Sequence, residues 1–385
     1  MNLYTLDEVC EFQSGLWTGK KGPYKVVKVL RNTNFTKDNK LNLENIAEIK
    51  VEVKQLEKRI LEKGDILIEK SGGGPNQPVG RVVFIDKRAV DYSFSNFTSR
   101  IRVTSDGLNP NYLYWFLNYI YLSGTTENLQ RRSTGIRNLQ LKEYKQLVIP
   151  VPPLQEQEKI VDKLDKVFEN IKNKVDKERN SIELYGKLYK SKLSQIFNNE
   201  FMGSGETELG ELSEIISGQS PKGEFINDSE GLEFHQGKKA FSDKFLLDSG
   251  KRTEYTTKQV PKNTIVMSVR APVGPVNITQ ESICIGRGLA GIIPKESNLN
   301  FLFYYLDSIK EENTGHIGAT INSINRNEIM KIKIPNASIA KQETIANQIE
   351  QILELKNELV SNSREVLTKL NNLKESVLSK EFSYE

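Results

Sequence analysis

Apolar residues recur at steps of three and four along two long segments of the chain, 154–200 and 338–385. This spacing is typical of a helix with one apolar face, and its persistence over about five heptads favours a coiled coil. A long helix lying on a domain surface would give a similar pattern, but two such helices in one chain favour pairing with each other. The positions expected at the contact are Ile160, Leu164, Val167, Ile171 and Ile182 in the first segment, and Ile345, Ile349, Ile352, Leu359, Val366 and Leu370 in the second.

The chain also contains an internal repeat, which is the strongest single indicator of architecture in a sequence. Six short segments recur in the same order, and their offset falls from 203 to 185, as small deletions in the second copy would produce. The matched segments are 6–9 with 209–212, 63–67 with 262–266, 78–80 with 272–274, 112–117 with 301–306, 149–150 with 334–335, and 157–160 with 342–345.

Each copy has the same layout, in which short β-rich runs and turns are followed by an aromatic helix and then a long helix. The predicted strands are 65–68 and 81–85 in the first copy and 264–269 and 289–293 in the second. The aromatic helix of the first copy is expected to begin at the turn Asn109-Pro110. The predicted fold class is α+β, with two tandem α/β domains related by a pseudo-two-fold repeat. The boundaries are 1–153 and 209–337 for the domains, 154–200 and 338–385 for the helices, and 201–208 for a linker.

Composition excludes several classes of protein. No run of about 18 apolar residues is present, so no membrane span is predicted, and the first residues lack the pattern of a signal peptide. The 385 residues include two histidines and two cysteines, which are scattered and argue against a metal site. A reducing, cytoplasmic setting is expected.

The charge is unevenly divided between the two copies. Residues 1–153 hold 23 Lys and Arg against 16 Asp and Glu, a net charge of +7, whereas residues 201–337 hold 15 against 17, a net charge of −2. The excess of positive charge in the first copy points to a polyanionic partner.

A search for catalytic motifs finds only imperfect matches. The segment Asn109-Pro-Asn-Tyr112 resembles the Asn-Pro-Pro-Tyr box of adenine methyltransferases, but its second proline is missing and no glycine-rich cofactor loop precedes it. The segment 231–239 has the wrong glycine spacing for a phosphate loop. We therefore expect no catalytic residues, no metal and no cofactor on this chain. A single-chain methyltransferase or nuclease and a coiled-coil scaffold without a DNA role remain the rival interpretations, which cofactor binding and DNA binding would distinguish.

Polar, glycine-containing loops recur at matching places in both copies. Glycine permits close approach of a backbone, lysine and hydroxyl groups bind phosphates, and arginine, asparagine and glutamine can read base edges. Arg270, Arg287, Arg81 and Gln77 are the candidates for base reading, and Arg137 is expected at the DNA backbone. The full set of predicted DNA-binding residues is Lys20, Lys21, Asn76, Gln77, Arg81, Ser133, Thr134, Arg137, Asn138, Lys222, Arg270, Arg287, His316, Thr320, Asn322 and Ser323.

The junctions between domain and helix carry a family likeness. The first reads Thr134-Gly-Ile-Arg-Asn-Leu139, then Ile149-Pro-Val-Pro-Pro-Leu-Gln-Glu-Gln-Glu-Lys-Ile160, and a related pattern spans 319–345. Over essentially its whole length, the chain resembles the specificity subunit of type I restriction-modification systems. The second copy departs from the pattern, because Asn336-Ala-Ser-Ile339 replaces the second proline cluster and Lys341 stands where the first copy has Glu156.

The resemblance implies two target recognition domains held apart by an antiparallel helix pair, each reading one half of a split, asymmetric double-stranded DNA site. It implies two modification subunits that methylate adenine N6 with S-adenosylmethionine, and two restriction subunits, where present, that use ATP and Mg. This chain would then be non-catalytic and bind no cofactor itself. A modification-only or related phage-defence system is the alternative, and the sequence does not separate the two.

Overall fold

The structure is a computed structural model that describes residues 2–17, 21–36, 38–74, 77–87, 89–133, 136–310 and 323–383. It divides into two compact units. Unit 1 comprises Met1–Glu178 with Glu365–Glu385, and unit 2 comprises Arg179–Arg364. No helix of the described residues is long and apolar enough to cross a membrane.

The two copies have helices and strands in corresponding order. The first copy contains β1 (Asn2–Thr5), α1 (Leu6–Val9), β2 (Cys10–Ser14), β3 (Tyr24–Leu30), β4 (Ala47–Glu52), α2 (Val53–Leu56), β5 (Ile66–Glu69), β6 (Ser71–Gly73), β7 (Val82–Phe84), β8 (Ser93–Phe94), β9 (Thr98–Val103), α3 (Pro110–Leu122), α4 (Thr125–Asn128), β10 (Gln130–Ser133), β11 (Ile136–Leu139), α5 (Leu141–Tyr144), β12 (Val148–Val151) and α6 (Leu154–Ser204). The second contains β13 (Glu206–Glu208), α7 (Leu209–Leu212), β14 (Ser213–Ser217), β15 (Leu232–His235), β16 (Arg252–Thr253), β17 (Gln259–Val260), β18 (Ile265–Ser268), β19 (Val276–Ile278), β20 (Ile283–Ile285), β21 (Leu289–Pro294), α8 (Leu299–Ser308), α9 (Arg326–Met330), β22 (Lys333–Pro335) and α10 (Ile339–Phe382).

The main sheet of each unit has the same strand order. It is β2-β9-β5-β7 in unit 1 and β14-β21-β18-β19 in unit 2, and every pair in both sheets is antiparallel. A short two-stranded ladder also recurs, β1 with β12 and β13 with β22. The internal repeat seen in the sequence is therefore a repeat of topology, and the α+β fold class is confirmed.

The four predicted strands all belong to these sheets, three of them as central strands and β7 at an edge. The runs 65–68 and 264–269 become β5 and β18, in which every residue is buried, because both faces of each central strand are covered. The runs 81–85 and 289–293 become β7 and β21. The aromatic helix α3 begins where predicted, with the Asn109 side chain accepting a hydrogen bond from the Asn111 amide at its first turn.

The first long helix extends four residues beyond its predicted end at residue 200. It ends at Ser204, and Gly205 follows in a left-handed conformation with φ of +76°. The segment predicted as linker, 201–208, therefore consists of the last helical turn, Gly205 and strand β13. The helix therefore continues through Gly203 and stops before Gly205, which of the two glycines is the one in the left-handed conformation.

The two long helices pack against each other in opposite directions within each unit, as a coiled-coil pattern predicts. In unit 1, Ile171 and Val175 of α6 form a cluster with Leu370 of α10, and Lys163 pairs with Glu381. In unit 2, Glu200 of α6 lies 4.0 Å from Lys341 of α10, and the Lys356 ammonium lies over the Tyr189 ring. Rising numbers in α6 thus meet falling numbers in α10 in both units.

The predicted contact positions divide into two groups. The positions near the helix ends pack against the domain cores and not only against the other long helix. Ile160 and Leu164 pack in the unit 1 core, and Ile345 and Ile349 pack in the unit 2 core. The helix–helix cluster itself holds Val167, Ile171, Val366 and Leu370, while Ile182, Ile352 and Leu359 are half-buried.

A glutamine that recurs at the junction between domain and long helix, Gln157 in the first copy and Gln342 in the second, holds the two elements together. The Gln157 side chain is fully buried, accepts a hydrogen bond from the Asn109 amide at 2.8 Å, and donates to the Gly107 and Pro152 carbonyls at 2.8 and 2.7 Å. Gln342 repeats this by accepting from the Asn298 amide at 2.7 Å. In each unit one glutamine therefore fastens the start of the aromatic helix to the start of the long helix.

Candidate nucleic-acid interface

The polar loops of unit 1 collect at one end of its main sheet. Strand β2 ends at Ser14, which pairs with Ser99 of β9, and β5 ends at Glu69, which pairs with the neighbouring Thr98. The segments that follow Ser14 and Glu69 therefore leave the sheet at the same edge. The start of β2, by contrast, adjoins α1, so the polar loops lie at the end of β2 away from that helix.

Two of the predicted loops of unit 1 are strands of a small sheet, ordered β10-β11-β6. The glycine-rich segment 71–74 supplies β6, and residues 131–133 and 136–138 belong to the antiparallel strands β10 and β11. Asn138 stands opposite Ser71, whose hydroxyl donates to the Asn138 side-chain oxygen at 2.5 Å. The small sheet therefore holds Arg137 and Asn138 in fixed positions beside the glycine-rich turn, with Asn138 exposed and Arg137 half-buried.

Unit 2 repeats this arrangement with different side chains. Strand β18 ends at Ser268 opposite Leu289, and β14 ends at Ser217 opposite Ala290, so their loops also share one edge. Beyond that edge, Arg270 and Ser323 pair through a β-bridge. By the offsets of the repeat, this pair corresponds to Ser71 with Asn138, so the structure brings together Arg270 and Ser323, both predicted from sequence to contact DNA.

Arg287 is held on a tight turn at the same edge. Its backbone amide donates to the Ser220 hydroxyl at 3.3 Å, and its side chain is exposed. The flanking glycines permit this turn, because a β-carbon at Gly288 would lie 2.4 Å from the Gln236 carbonyl oxygen. Among the residues that the structure describes, no ion pair engages the Arg287 guanidinium, which is thus presented to solvent from a rigid backbone.

Arg81 and Gln77 lie differently from the other candidates. The Arg81 guanidinium is buried, pairs with the buried Glu69 carboxylate at 2.8 Å and donates to the Phe35 carbonyl. The exposed Gln77 places its side-chain amide 2.8 to 3.2 Å from that guanidinium. This ion pair joins the end of β5 to the residue that precedes β7, so the geometry suits Arg81 to a framework role rather than to base reading.

The remaining predicted residues divide by what the structure describes. Lys21 and Lys222 are exposed. Lys20, Asn76, Thr134, His316, Thr320 and Asn322 lie outside the described residues, and so does the side chain of Ser133.

Sequence reasoning left out several exposed aromatic side chains near these loops. Trp17 is 63% exposed and follows the end of β2. In unit 2, Phe225 and Tyr255 are exposed and stacked on each other, with ring centroids 4.5 Å apart. Trp17 is the first residue of the predicted polar loop 17–21 and could have been selected on that ground, whereas nothing local in the sequence brings residues 225 and 255 together.

The described residues contain no group of histidine, cysteine, aspartate or glutamate arranged to hold a metal. Cys10 and Cys284 are buried, and burial raises the pKa of the Cys10 thiol to about 12. His235 is buried with its Nε2 atom 2.7 Å from Glu233, and burial lowers the pKa of its imidazole. Three of the four scattered histidines and cysteines are therefore buried inside the units.

A second repeated feature is a cavity beside the long helices. In unit 1 it measures about 350 Å³ and is lined by α3, α6 and the segment 38–40. The Trp115 indole donates to Asp165 at 2.9 Å there, and burial raises the pKa of Asp165 against the opposing effect of that hydrogen bond. The Asn39 side chain is buried and bonds Asn118 at 2.6 Å, while its own oxygen has no partner in the described structure.

The corresponding cavity of unit 2 measures about 520 Å³ and is lined by α8, the long helices and the segment 241–244. Lys244 donates to Glu350 at 2.7 Å and to the Tyr304 hydroxyl at 3.3 Å. By the offsets of the repeat, Tyr304 corresponds to Trp115 and Glu350 to Asp165. Lys244 stands between β14 and β18, as Lys40 stands between β2 and β5. In each unit a loop lysine and an aromatic ring therefore line the cavity, and a carboxylate of a long helix bonds one of the two.

Comparison with known proteins agrees with this architecture. The family model described as "Type I restriction modification DNA specificity domain" matches residues 1–184 and 203–369. The chain is 28% identical to a putative type I restriction enzyme MjaX specificity subunit of Methanocaldococcus jannaschii, over 90% of each protein.

Two solved structures share the fold. A chain from a study of complex assembly and conformational transition of the type I R-M system aligns with a TM-score of 0.82 at 23% identity, covering 98% of this chain and 96% of that one. The HsdS subunit from Thermoanaerobacter tengcongensis aligns with a TM-score of 0.62 at 22% identity, covering 99% and 96%. With the family model matched in both copies, the chain belongs to the family of type I restriction-modification specificity subunits.

Proposed function

We propose that this chain reads a bipartite, asymmetric site on double-stranded DNA, with each unit contacting one half of the site. The main support is that the polar loops leave the main sheet at the same end in both units. In both units the loops after the first and third strands of the main sheet converge, and the pairs Ser71–Asn138 and Arg270–Ser323 stand at corresponding places. Guanidinium, amide and hydroxyl groups of this kind suit phosphate and base-edge contacts.

The two units are expected to bind DNA with different balances of forces. Unit 1 contains all of residues 1–153, which have a net charge of +7, so its non-specific attraction to phosphates is stronger and depends more on salt. The second copy has a net charge of −2 and relies on a few placed cations, such as Arg270 and Arg287. Unit 2 is then expected to select its DNA sequence through the positions of its loop side chains more than through its net charge.

The chain itself is proposed to be non-catalytic and to bind no cofactor. Partner subunits would methylate adenine N6 with S-adenosylmethionine, and restriction subunits, where present, would use ATP and Mg. A modification-only system without a restriction partner is the second candidate, which the same fold serves equally well.

Two modification subunits are proposed to dock on this chain, one at each unit. The support is the repeated cavity, since equivalent aromatic, lysine and carboxylate groups at two places suit two copies of one partner. Lys172 and Asn357 occupy corresponding positions at the two cavities and are exposed. Native mass spectrometry of Lys172→Trp and Asn357→Trp should each show one bound modification subunit, and the double variant none. Two bound subunits in the double variant would contradict this assignment, and Lys174→Trp, on the same helix outside the cavity, is the matched control.

Methylome sequencing tests the proposed function as a whole. A strain that carries the chain with its modification partner should methylate adenines in one split motif, and deletion of this chain alone should remove that methylation. Persistence of the motif after deletion would contradict the proposal.

A further inference from the structure

The stacked aromatic pair Phe225–Tyr255 is an unusual surface feature of unit 2. The ring centroids are 4.5 Å apart and the ring planes differ by 15°, so the two rings lie nearly parallel. Phe225 is 37% and Tyr255 is 63% exposed. Each ring restricts the rotation of the other, so little further conformational entropy is lost when the pair meets a ligand.

The pair is linked to the predicted DNA-binding edge by hydrogen bonds. The hydroxyl of Thr257, two residues after Tyr255, donates to the Gln219 carbonyl, and the Gln219 amide donates to the Ile285 carbonyl at 3.0 Å. Ser220, the residue after Gln219, and Arg287, two residues after Ile285, make the contact described above. The aromatic pair and Arg287 therefore stand on interconnected loops.

The charges beside the pair are mixed, and the cations among them are available for contact with phosphates. Exposed lysines stand on the same loops, namely Lys222 and Lys258, together with Arg287. Glu224 and Glu254 are exposed nearby, and Glu224 lies 3.9 Å from the Lys222 ammonium. Cations beside an exposed aromatic face combine phosphate attraction with a flat apolar surface, which is the pairing that stacking contacts with nucleic acid use.

We propose that the Phe225–Tyr255 pair contacts the bases of the half-site that unit 2 reads, with Tyr255 as the outer ring that stacks at a base step and Phe225 as its support. Inserted apolar or aromatic side chains partly unstack a base step and bend the duplex. The contact selects steps that unstack easily and thereby adds specificity to the hydrogen bonds of Arg287. This inference rests on the proposed DNA-reading function.

The test uses the complete complex with its modification subunits and a duplex that carries the motif found by methylome sequencing. Tyr255→Ala should weaken binding by on the order of tenfold, the loss typical of one base–aromatic stack, whereas Tyr255→Phe should bind within about twofold of the parent because it keeps the ring. Leu247→Ala is the matched control, since Leu247 is an apolar residue of unit 2 that is 59% exposed.

A second readout locates the contact. 2-Aminopurine, placed in turn at each position of the half-site read by unit 2, should brighten at one step on binding of the parent complex and not with Tyr255→Ala. Equal affinity of Tyr255→Ala and Leu247→Ala would overturn the inference, as would loss of modification subunits from the Tyr255→Ala complex. If the parent complex itself fails to bind the motif, the proposed function fails instead, so the two failures are distinguishable.

Discussion

Replacement of Gln157 by alanine should destabilise unit 1 without changing the DNA sequence that is recognised. The substitution removes three buried hydrogen bonds of 2.7 to 2.8 Å. It leaves the Asn109 amide and two carbonyls without that partner inside the junction. Unsatisfied buried groups cost about 1 to 3 kcal/mol each, and partial relaxation of the site lowers the sum, so we expect a loss of about 3 kcal/mol. For a unit of this size, that lowers the unfolding temperature by roughly 6 to 12 °C.

The assay is thermal and urea unfolding of the purified chain, followed by methylome sequencing of cells that carry the variant. Gln155→Ala is the matched control, because it changes the same residue type on the same helix at an exposed position. Gln342→Ala should produce a comparable loss in unit 2, where the glutamine bonds the Asn298 amide and the Ala337 carbonyl. An unchanged unfolding temperature for Gln157→Ala, or a changed methylation motif, would refute the structural role given to this residue.

Three further predictions address spacing, phosphate contact and pH. If the helix pair sets the distance between the half-sites, insertion of seven residues into each long helix at matched positions adds about 10 Å. The spacer between half-sites in methylome data should then lengthen by about three base pairs, and an unchanged spacer would contradict this role of the helices. Arg137→Ala should weaken binding and lower the salt slope by about 1 in titrations at several salt concentrations; identical slopes for variant and parent would remove Arg137 from the interface. Burial lowers the pKa of His235 below its ordinary value of 6.5, so the folded state favours the neutral imidazole. The stability that this residue contributes is therefore complete above pH 6.5 and declines as the pH falls toward the lowered pKa. Urea unfolding should therefore show less acid destabilisation for His235→Gln between pH 7 and 5, and equal slopes would show that His235 does not titrate in this way.

The long helices and the repeat could be predicted because both are periodic features of the sequence. Which surface covers the apolar face of each long helix depends on tertiary contacts, and the periodicity of the sequence does not reveal those contacts. Leu164 fits the heptad pattern as well as Ile171 does, yet Leu164 packs into a domain core and Ile171 against the other helix. The sequence predicts an apolar helix face and leaves open what covers it.

The candidate interface was predictable in composition and not in geometry. The segments 71–74 and 131–138 read as loops because they lack alternating apolar residues, but they pair as strands across more than 60 residues of chain. Arg81 looked like a base-reading group because arginine is common in that role, and its burial with Glu69 depends on a fold that its local sequence does not encode. The Phe225–Tyr255 stack is likewise a product of tertiary structure.

The central claim is that each unit reads its own half of the DNA site. Exchange of residues 209–337 for the corresponding segment of a relative, followed by single-molecule methylome sequencing, tests it most directly. We predict a methylated motif in which one half-site is new and the other half-site is retained. A motif altered in both halves, or in neither, would contradict the account.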